Sequence, residues 1–432
     1  MSIKSLLIKN SFFNLLGYFY LLVVSFVSVS IFLGSFGRDV FGVYLFLASF
    51  VPMASVFDFG VSLAVIRELS LPGATTEHKI KIWKTSLTIF IFEAFTLVAV
   101  FSGLLLYLST HMSLLQIVDK NIVLPSILVL SITIFVNHLN NLMLSVPQAN
   151  QRFDIFNSKT FIVGTANTLL SAFLSTYTHN ILHLFVLQLA FNLITFVYIS
   201  IYIKSVFGAK NLLPEYSREQ ARSLLGYGLK NFVGTLASQM ESQVSKFFLG
   251  FLSTAQSITA FSIPQNIVSK AAGIVSQLAQ AFFPLSASLL EKDRIHKLKK
   301  LFFGLQFIIF LGGILSLVVT NYFGVPFLTW WLKDSVVVDL AYPVLQVMCW
   351  YFILVSLTPL PTALVQSLGK PQVSSFFAVL SITSEIIGMA YFIPRYASLG
   401  AAYSFFFGAI VSIPPFLVYS VYLLNQKINE YQ

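Results

Sequence analysis

Glu241 and Lys246 stand five residues apart in the stretch "SQMESQVSKFF" (238–248), beside Gln239 and Gln243, in a segment otherwise greasy enough to cross a bilayer. A charged side chain at mid-membrane is costly unless it faces a bundle interior or water, so it marks a place that does something. Two chemistries suit such residues: holding a polar or ionic cargo, and taking up and releasing protons. At about 100° per residue, Ser238, Gln239, Glu241, Ser242, Gln243, Ser245 and Lys246 fill one arc, and Met240, Val244, Phe247, Phe248 and Phe251 fill the other. The segment therefore predicts a helix with one wet face and one lipid face.

Other segments carry the same signal. Lys270 shares a helical face with Thr259, Asn266, Gly273 and Gln277. It lies roughly 18 Å from the outer helix end at a rise of about 1.5 Å per residue, too deep to snorkel easily. Lys246 is only about 9 Å from that end by the same rise, so snorkelling stands as an alternative there. In the first half, Asp58, Glu93 and "NHLNN" (137–141) fall in apolar segments, with Asn137, Asn141 and Gln148 on one face and His138 among them. Glu385 has Ser381 and Ser374 on its face. For Glu93 and Glu385, ion coupling competes with a protonated carboxyl hydrogen-bonded between helices; the asparagines can equally be interhelical glue, and His138 a packed imidazole rather than a proton relay. The two lysines would attract an anionic group, while Asp58, Glu93, Glu241 and Glu385 would carry protons.

The elements that position these residues follow from composition. Of 432 residues 57% are hydrophobic and 10% charged, against about 25% charged in a soluble domain. Since a span needs about 20 apolar residues, the chain predicts an all-α polytopic membrane protein with about twelve transmembrane helices, at 12–33, 44–66, 84–108, 122–146, 158–178, 182–203, 231–252, 258–282, 301–322, 340–364, 373–393 and 400–424. They fall into two six-helix lobes, 1–203 and 231–432, joined by the polar linker 204–230. The linker's end, "SREQARSLLGYGLK", is partly amphipathic and predicts a helix on the inner membrane surface. The loops "QANQR" (148–152) and "QSLGK" (366–370), after spans 4 and 10, hint at an internal repeat; such halves are a common transporter plan, with the site between them.

The net charge of +10 is a topology signal and does not point to nucleic acid. With the N-terminus in the cytoplasm, 20 of the 26 Lys and Arg become cytoplasmic, so the positive-inside rule puts both termini there. Lys4 and Lys9 precede an apolar run like a secretory signal, but no small-x-small cleavage site follows, and a retained first span is expected. The single Cys349 allows no internal disulfide and reads as a buried thiol. Enzyme signatures are missing: "DFG" at 58–60 falls within a span with no Gly-rich or catalytic loop to accompany it, no P-loop is present, and His and Cys show no metal-ligand spacing. No catalysis, cofactor or metal is expected.

The stretch "LGSFGRDVFGVYLFLASFVPMASVFDFGVSLAVIRELS", with Gly34, Gly42, Tyr44, Asp58, Gly60 and Arg67, resembles the pattern across spans 1 and 2 of Wzx-type polysaccharide flippases in the multidrug/oligosaccharidyl-lipid/polysaccharide (MOP) exporter superfamily. "NQRFDIFN", "AFSIPQNI", "AFFPLSASLL" and "LGAAYSF" look like further landmarks in the same order. Ser245-Lys246 stands where members often carry Asp before a basic residue, which puts an acid-coupling role there in doubt.

The resemblance implies a two-lobed MOP/MATE-like protein of the bacterial inner membrane. Its cargo would be an undecaprenyl-diphosphate-linked oligosaccharide repeat unit of O-antigen or a similar surface polysaccharide, moved from the cytoplasmic to the periplasmic leaflet. The implied partners are the bilayer, a polysaccharide polymerase and a chain-length regulator. The substrate pathway would take Lys270, Lys246, Glu241, Gln239, Gln277, Asn141 and His138, and ion coupling Asp58, Glu93 and Glu385. Two other readings stand beside it: an ion-coupled MATE-like exporter of small molecules, for which Asp58, Glu93 and Glu241 would be the binding acids, and a membrane-bound glycan polymerase or ligase, for which the outer Arg38, Lys120, Lys333 and Arg395 are a thin supply.

Overall fold

The computed structural model describes residues 3–71, 73–290 and 294–430; within these, the side chains at 3–18, 21, 230–231, 233–235, 237–239, 241–242, 280–281, 284 and 287–288 lie outside the described residues. Among the described residues every regular element is helical. In chain order these are α1 (Ile3–Ala48), α2 (Phe50–Ser55), α3 (Val61–Ser70), α4 (Thr76–His111), α5 (Lys120–Ala149), α6 (Phe153–Thr165), α7 (Ser171–Thr178), α8 (Ile181–Phe207), α9 (Arg218–Leu252), α10 (Ala255–Ser288), α11 (Ile295–Leu332), α12 (Ser335–Ser356), α13 (Pro359–Ser367) and α14 (Pro371–Asn429).

Among the described residues twelve helical passes emerge once the breaks are counted, and seven helices are long and apolar enough to cross a membrane by length and composition. Helix α1 is interrupted at Gly37 (φ 66°, ψ 173°), and α14, long enough at 59 residues to cross twice, is interrupted at Ala397 (φ 49°, ψ −122°). Spans 2, 5 and 10 are each built from more than one piece, whereas the hydropathy pattern suggests continuous helices. Polar caps fix the starts of the long helices: Thr75 Oγ1 accepts from His78 N, Asp119 Oδ1 from Asn121 N, Asn180 Oδ1 from Leu182 N and Asp334 Oδ1 from Val337 N.

The exterior is apolar and the interior, besides its apolar cores, holds polar groups. Large apolar side chains such as Phe92, Phe95, Ile201, Phe307, Ile308 and Tyr322 are exposed along the helices, while Glu93, His138, Asn140, Gln188, Asn192 and Glu385 are buried. In lipid, only the inside of a bundle offers partners to polar groups, so this is the arrangement a membrane protein requires.

The chain divides into two compact units, Met1–Gln243 and Val244–Gln432. In the first, Val61, Ile82, Phe90, Leu142, Ile199, Ile203 and Leu224 form one core. In the second, Phe282, Leu298, Phe302, Leu364 and Leu424 form another, and Phe405 meets the rings of Phe261 and Tyr351.

The "DFG" triplet has a backbone explanation. Asp58 Oδ1 accepts from Gly60 N at 2.9 Å, and Phe59 (φ 47°) and Gly60 (φ 73°) are both left-handed, so the chain turns sharply between α2 and α3. That turn presses against Gly228 of α9, where a Cβ would meet the Phe59 carbonyl oxygen at 2.6 Å. The Phe59 and Phe232 rings lie 5.1 Å apart, and Arg67 stacks 4.7 Å from the Tyr227 ring. The segment expected as a membrane-surface helix is thus the first part of α9, with Ala221, Leu224 and Gly228 buried against the first unit.

A candidate polar site inside the first unit

A cavity of about 580 Å³ opens within the first unit among α1, α2, the α2–α3 turn, α3, α5, α6 and α8. Helix α5 contributes Asn137, Asn141 and Gln148, whose spacing keeps them on one face. Helix α8 adds Gln188 and Asn192, one turn apart, and α1 adds Tyr44. Asn167 enters from a single π turn, Ala166–Leu170, set between α6 and α7 and tied by Ser171 Oγ donating to the Ala166 carbonyl at 2.8 Å. Such a turn displaces side chains from the α-helical register and recurs at functional sites.

Several of these amides are held in place. Gln188 Nε2 donates to Tyr44 Oη at 2.8 Å, Asn137 Nδ2 to Ser55 Oγ at 2.9 Å, and Asn192 Nδ2 to the Gln188 carbonyl at 2.9 Å. From the side of α5, Asn140 Nδ2 donates to the Asn192 carbonyl at 3.1 Å. Three buried side-chain atoms belonging to lining residues have no hydrogen-bond partner: Asn192 Oδ1, Asn167 Oδ1 and Ser62 Oγ. Asp58 and Lys159 are the charged groups lining the cavity among the described residues, so their formal charges cancel.

The residues singled out in the sequence distribute as follows. Asp58 and Asn141 line the cavity with Asn137 and Gln148. Glu93 and His138 do not; they pair with each other, Glu93 Oε2 lying 3.2 Å from His138 Nε2, with the imidazole stacked on Phe90 at 4.6 Å between centroids. Glu385 is fully buried in α14, where its Oε1 accepts from Ser381 Oγ at 3.0 Å and its chain packs against Gly408. Lys246, on α9, and Lys270 and Gln277, on α10, are half-buried members of the second unit and do not line this cavity. The side chains of Gln239 and Glu241 lie outside the described residues. On α9 Ser245 is buried and Phe251 half exposed, as two opposed faces require, but Val244 is buried as well. Cys349 is buried with its Sγ 3.2 Å from Thr320 Oγ1. Among the described residues no group of three His, Cys, Asp or Glu is placed to hold a metal ion.

Tyr44 stands in the sequence only as part of the span 1 and 2 pattern, and Lys159, Asn167, Gln188 and Asn192 join the site through the structure. Gln188 and Asn192 carried a usable signal, since two amides one turn apart in the apolar span 182–203 meet the criterion applied to the other spans. Lys159 is one of the 20 basic residues that the charge pattern assigns to the cytoplasmic side, and Asn167 depends on a π turn that hydropathy does not disclose.

A multi-pass helical bundle with an apolar exterior and an amide-lined interior cavity is a membrane transporter in fold. Residues 37–312 match the family model described as "Polysaccharide biosynthesis protein", and the chain belongs to that family. A Shigella flexneri protein carrying the provisional name O-antigen transporter is 22% identical over 409 residues, covering 92% of this chain and 94% of its own length. Among solved structures, the lipid II flippase MurJ in an inward closed conformation superimposes with a TM-score of 0.74 at 15% identity, covering 96% of this chain and 90% of its own. An inward-facing multidrug resistance MATE transporter of the MOP superfamily gives a TM-score of 0.71 at 13% identity, covering 95% and 94%. At these identities the structural likenesses establish the MOP fold, and the family match agrees with the polysaccharide-flippase motifs of spans 1 and 2.

Proposed function

We propose that this protein moves an undecaprenyl-diphosphate-linked oligosaccharide repeat unit, a precursor of O-antigen or a similar surface polysaccharide, from the cytoplasmic to the periplasmic leaflet of the bacterial inner membrane. Both termini lie in the cytoplasm, and two six-helix lobes, 1–203 and 231–432, alternate access about the linker 204–230. The observation that carries this reading is the polar cavity inside a lipid-embedded unit of a polysaccharide-family protein. Sugars and phosphates must be shielded from hydrocarbon during transfer, and an amide-lined interior supplies that shield. The names of the relatives, an O-antigen transporter and a lipid II flippase, support a glycolipid cargo. With the cell interior negative, outward movement of an anionic diphosphate is favoured by about 2.3 kcal/mol per charge per 100 mV.

A second reading, ion-coupled export of small cationic molecules, draws on the MATE likeness and on Asp58 in the cavity. It is the weaker one, because Lys159 offsets that acid in the same cavity. Deleting the gene separates the two. The flippase reading expects lipid-linked repeat units to accumulate on the inner leaflet and surface glycan to be lost; the exporter reading expects normal glycan and raised drug susceptibility.

A further inference from the structure

We propose that the cavity inside the first unit is a carbohydrate-recognition site that holds a sugar residue of the cargo through its hydroxyl groups. The proposal rests on the flippase reading and adds to it a place and a ligand chemistry.

The lining determines the chemistry. Tyr44 fixes Gln188, Ser55 fixes Asn137, and the Gln188 carbonyl holds the Asn192 amino group. What is left over includes carbonyl oxygens. Asn192, only 3% exposed, carries a buried Oδ1 with no donor, and so does Asn167 on the π turn, and both residues belong to the cavity wall. A buried acceptor without a donor is a standing cost that an incoming O–H group removes. A phosphate, bearing acceptors, would be repelled by those two oxygens. A small cation would be held best by surplus negative charge, yet Asp58 and Lys159 cancel. A sugar hydroxyl is donor and acceptor at once, so it satisfies the amide oxygens and also uses the lysine ammonium and the Asp58 carboxylate. The volume, about 580 Å³, falls within the range of roughly 300–1,000 Å³ typical of small-molecule sites. Two interruptions of helical regularity, the Asp58 turn and the π turn, each deliver a lining residue to the cavity. A sugar lacking the matching hydroxyl would leave the amide oxygens unpaired and be discriminated against, which gives the site a role in cargo selection.

The test uses the full-length protein in lipid nanodiscs with two probes: the lipid-linked repeat unit extracted from the source strain, and sugar-free undecaprenyl diphosphate. Asn192→Ala and Asn167→Ala are each expected to weaken binding of the repeat-unit lipid at least tenfold and to leave binding of the sugar-free lipid unchanged. Independently, Asn167→Cys labelled by a small maleimide is expected to be protected by the oligosaccharide released from its lipid. Unaltered binding of the repeat-unit lipid by both variants, equal loss of both lipids by well-folded variants, or labelling that the free oligosaccharide does not slow would overturn the proposal and leave the flippase reading standing. Failure of the wild-type protein to bind either lipid would instead overturn the flippase reading, and this site with it.

Discussion

His138 Nε2 and Glu93 Oε2 lie 3.2 Å apart between α5 and α4, both residues are more than nine-tenths buried, and His138 Nδ1 has no hydrogen-bond partner. The contact ties two adjacent helices of the first unit.

Truncating either partner strands the other. Glu93→Ala and His138→Ala are each expected to destabilise the protein by about 3 kcal/mol or more, and the double variant to lose clearly less than the sum. Denaturant unfolding in mixed micelles measures all three. Single losses below about 1 kcal/mol, or strict additivity, would show that the pair is not a structural unit.

Two glycines of α9 two residues apart should behave oppositely. A Cβ on Gly228 would strike the backbone of Phe59 and Gly60, whereas one on Gly226 meets nothing within 4 Å. Gly228→Ala is therefore expected to cost about 1–3 kcal/mol. Gly226→Ala should be neutral, or stabilising by up to about 1 kcal/mol through helix propensity. Thermal melting of the two purified variants decides, and equal melting shifts would contradict the packing of the "DFG" turn on α9.

The linker end is held to α4 by Glu215 Oε2, which accepts from Lys84 Nζ at 2.9 Å, and this hydrogen bond keeps the Glu215 carboxyl below its ordinary range. A carboxylate so held takes up its proton less readily in the folded than in the unfolded protein. Its contribution is therefore present above the unfolded value, about pH 4.3, and is lost as pH falls through the folded value. Glu215→Gln is expected to speed limited proteolysis of 208–217 at neutral pH. With an acid-active protease, wild type and variant should converge as the pH drops below about 4. Indistinguishable cleavage at neutral pH would remove the tether.

In the second unit, Lys270→Ala is expected to reduce surface polysaccharide at unchanged protein level, with a smaller effect for Lys246→Ala, which sits nearer the end of its helix. Quantifying glycan against membrane-inserted protein checks both. Normal glycan in the double variant would exclude the lysines from the cargo path.

Much of the architecture was legible in the residues. Hydrophobic length marks most of the spans, because a bilayer admits little besides helices; seven helices among the described residues are long and apolar enough to cross by that criterion, and the family motifs across Gly34–Arg67 carry the superfamily. The breaks were not legible: window hydropathy averages over "VFDFG", where an Asx turn and two left-handed residues interrupt the span. Asp58, Asn137, Asn141 and Gln148 were all visible as polar residues in or beside spans. Their meeting with Gln188, Asn192, Asn167 and Lys159 depends on how α5, α6 and α8 pack, and no one-dimensional pattern contains that. The Glu93–His138 contact was foreshadowed only as alternatives, a carboxyl hydrogen-bonded between helices and a packed imidazole.

Glycolipid transfer itself can be measured directly. The purified protein is reconstituted into liposomes loaded with the lipid-linked repeat unit, and the fraction of its sugar reached by an impermeant glycosidase or periodate is followed over time. The account predicts that access rises beyond the outer-leaflet fraction when the protein is present, and that Asn192→Ala slows the rise. Access fixed at the outer-leaflet fraction, with protein correctly folded and inserted, would contradict it.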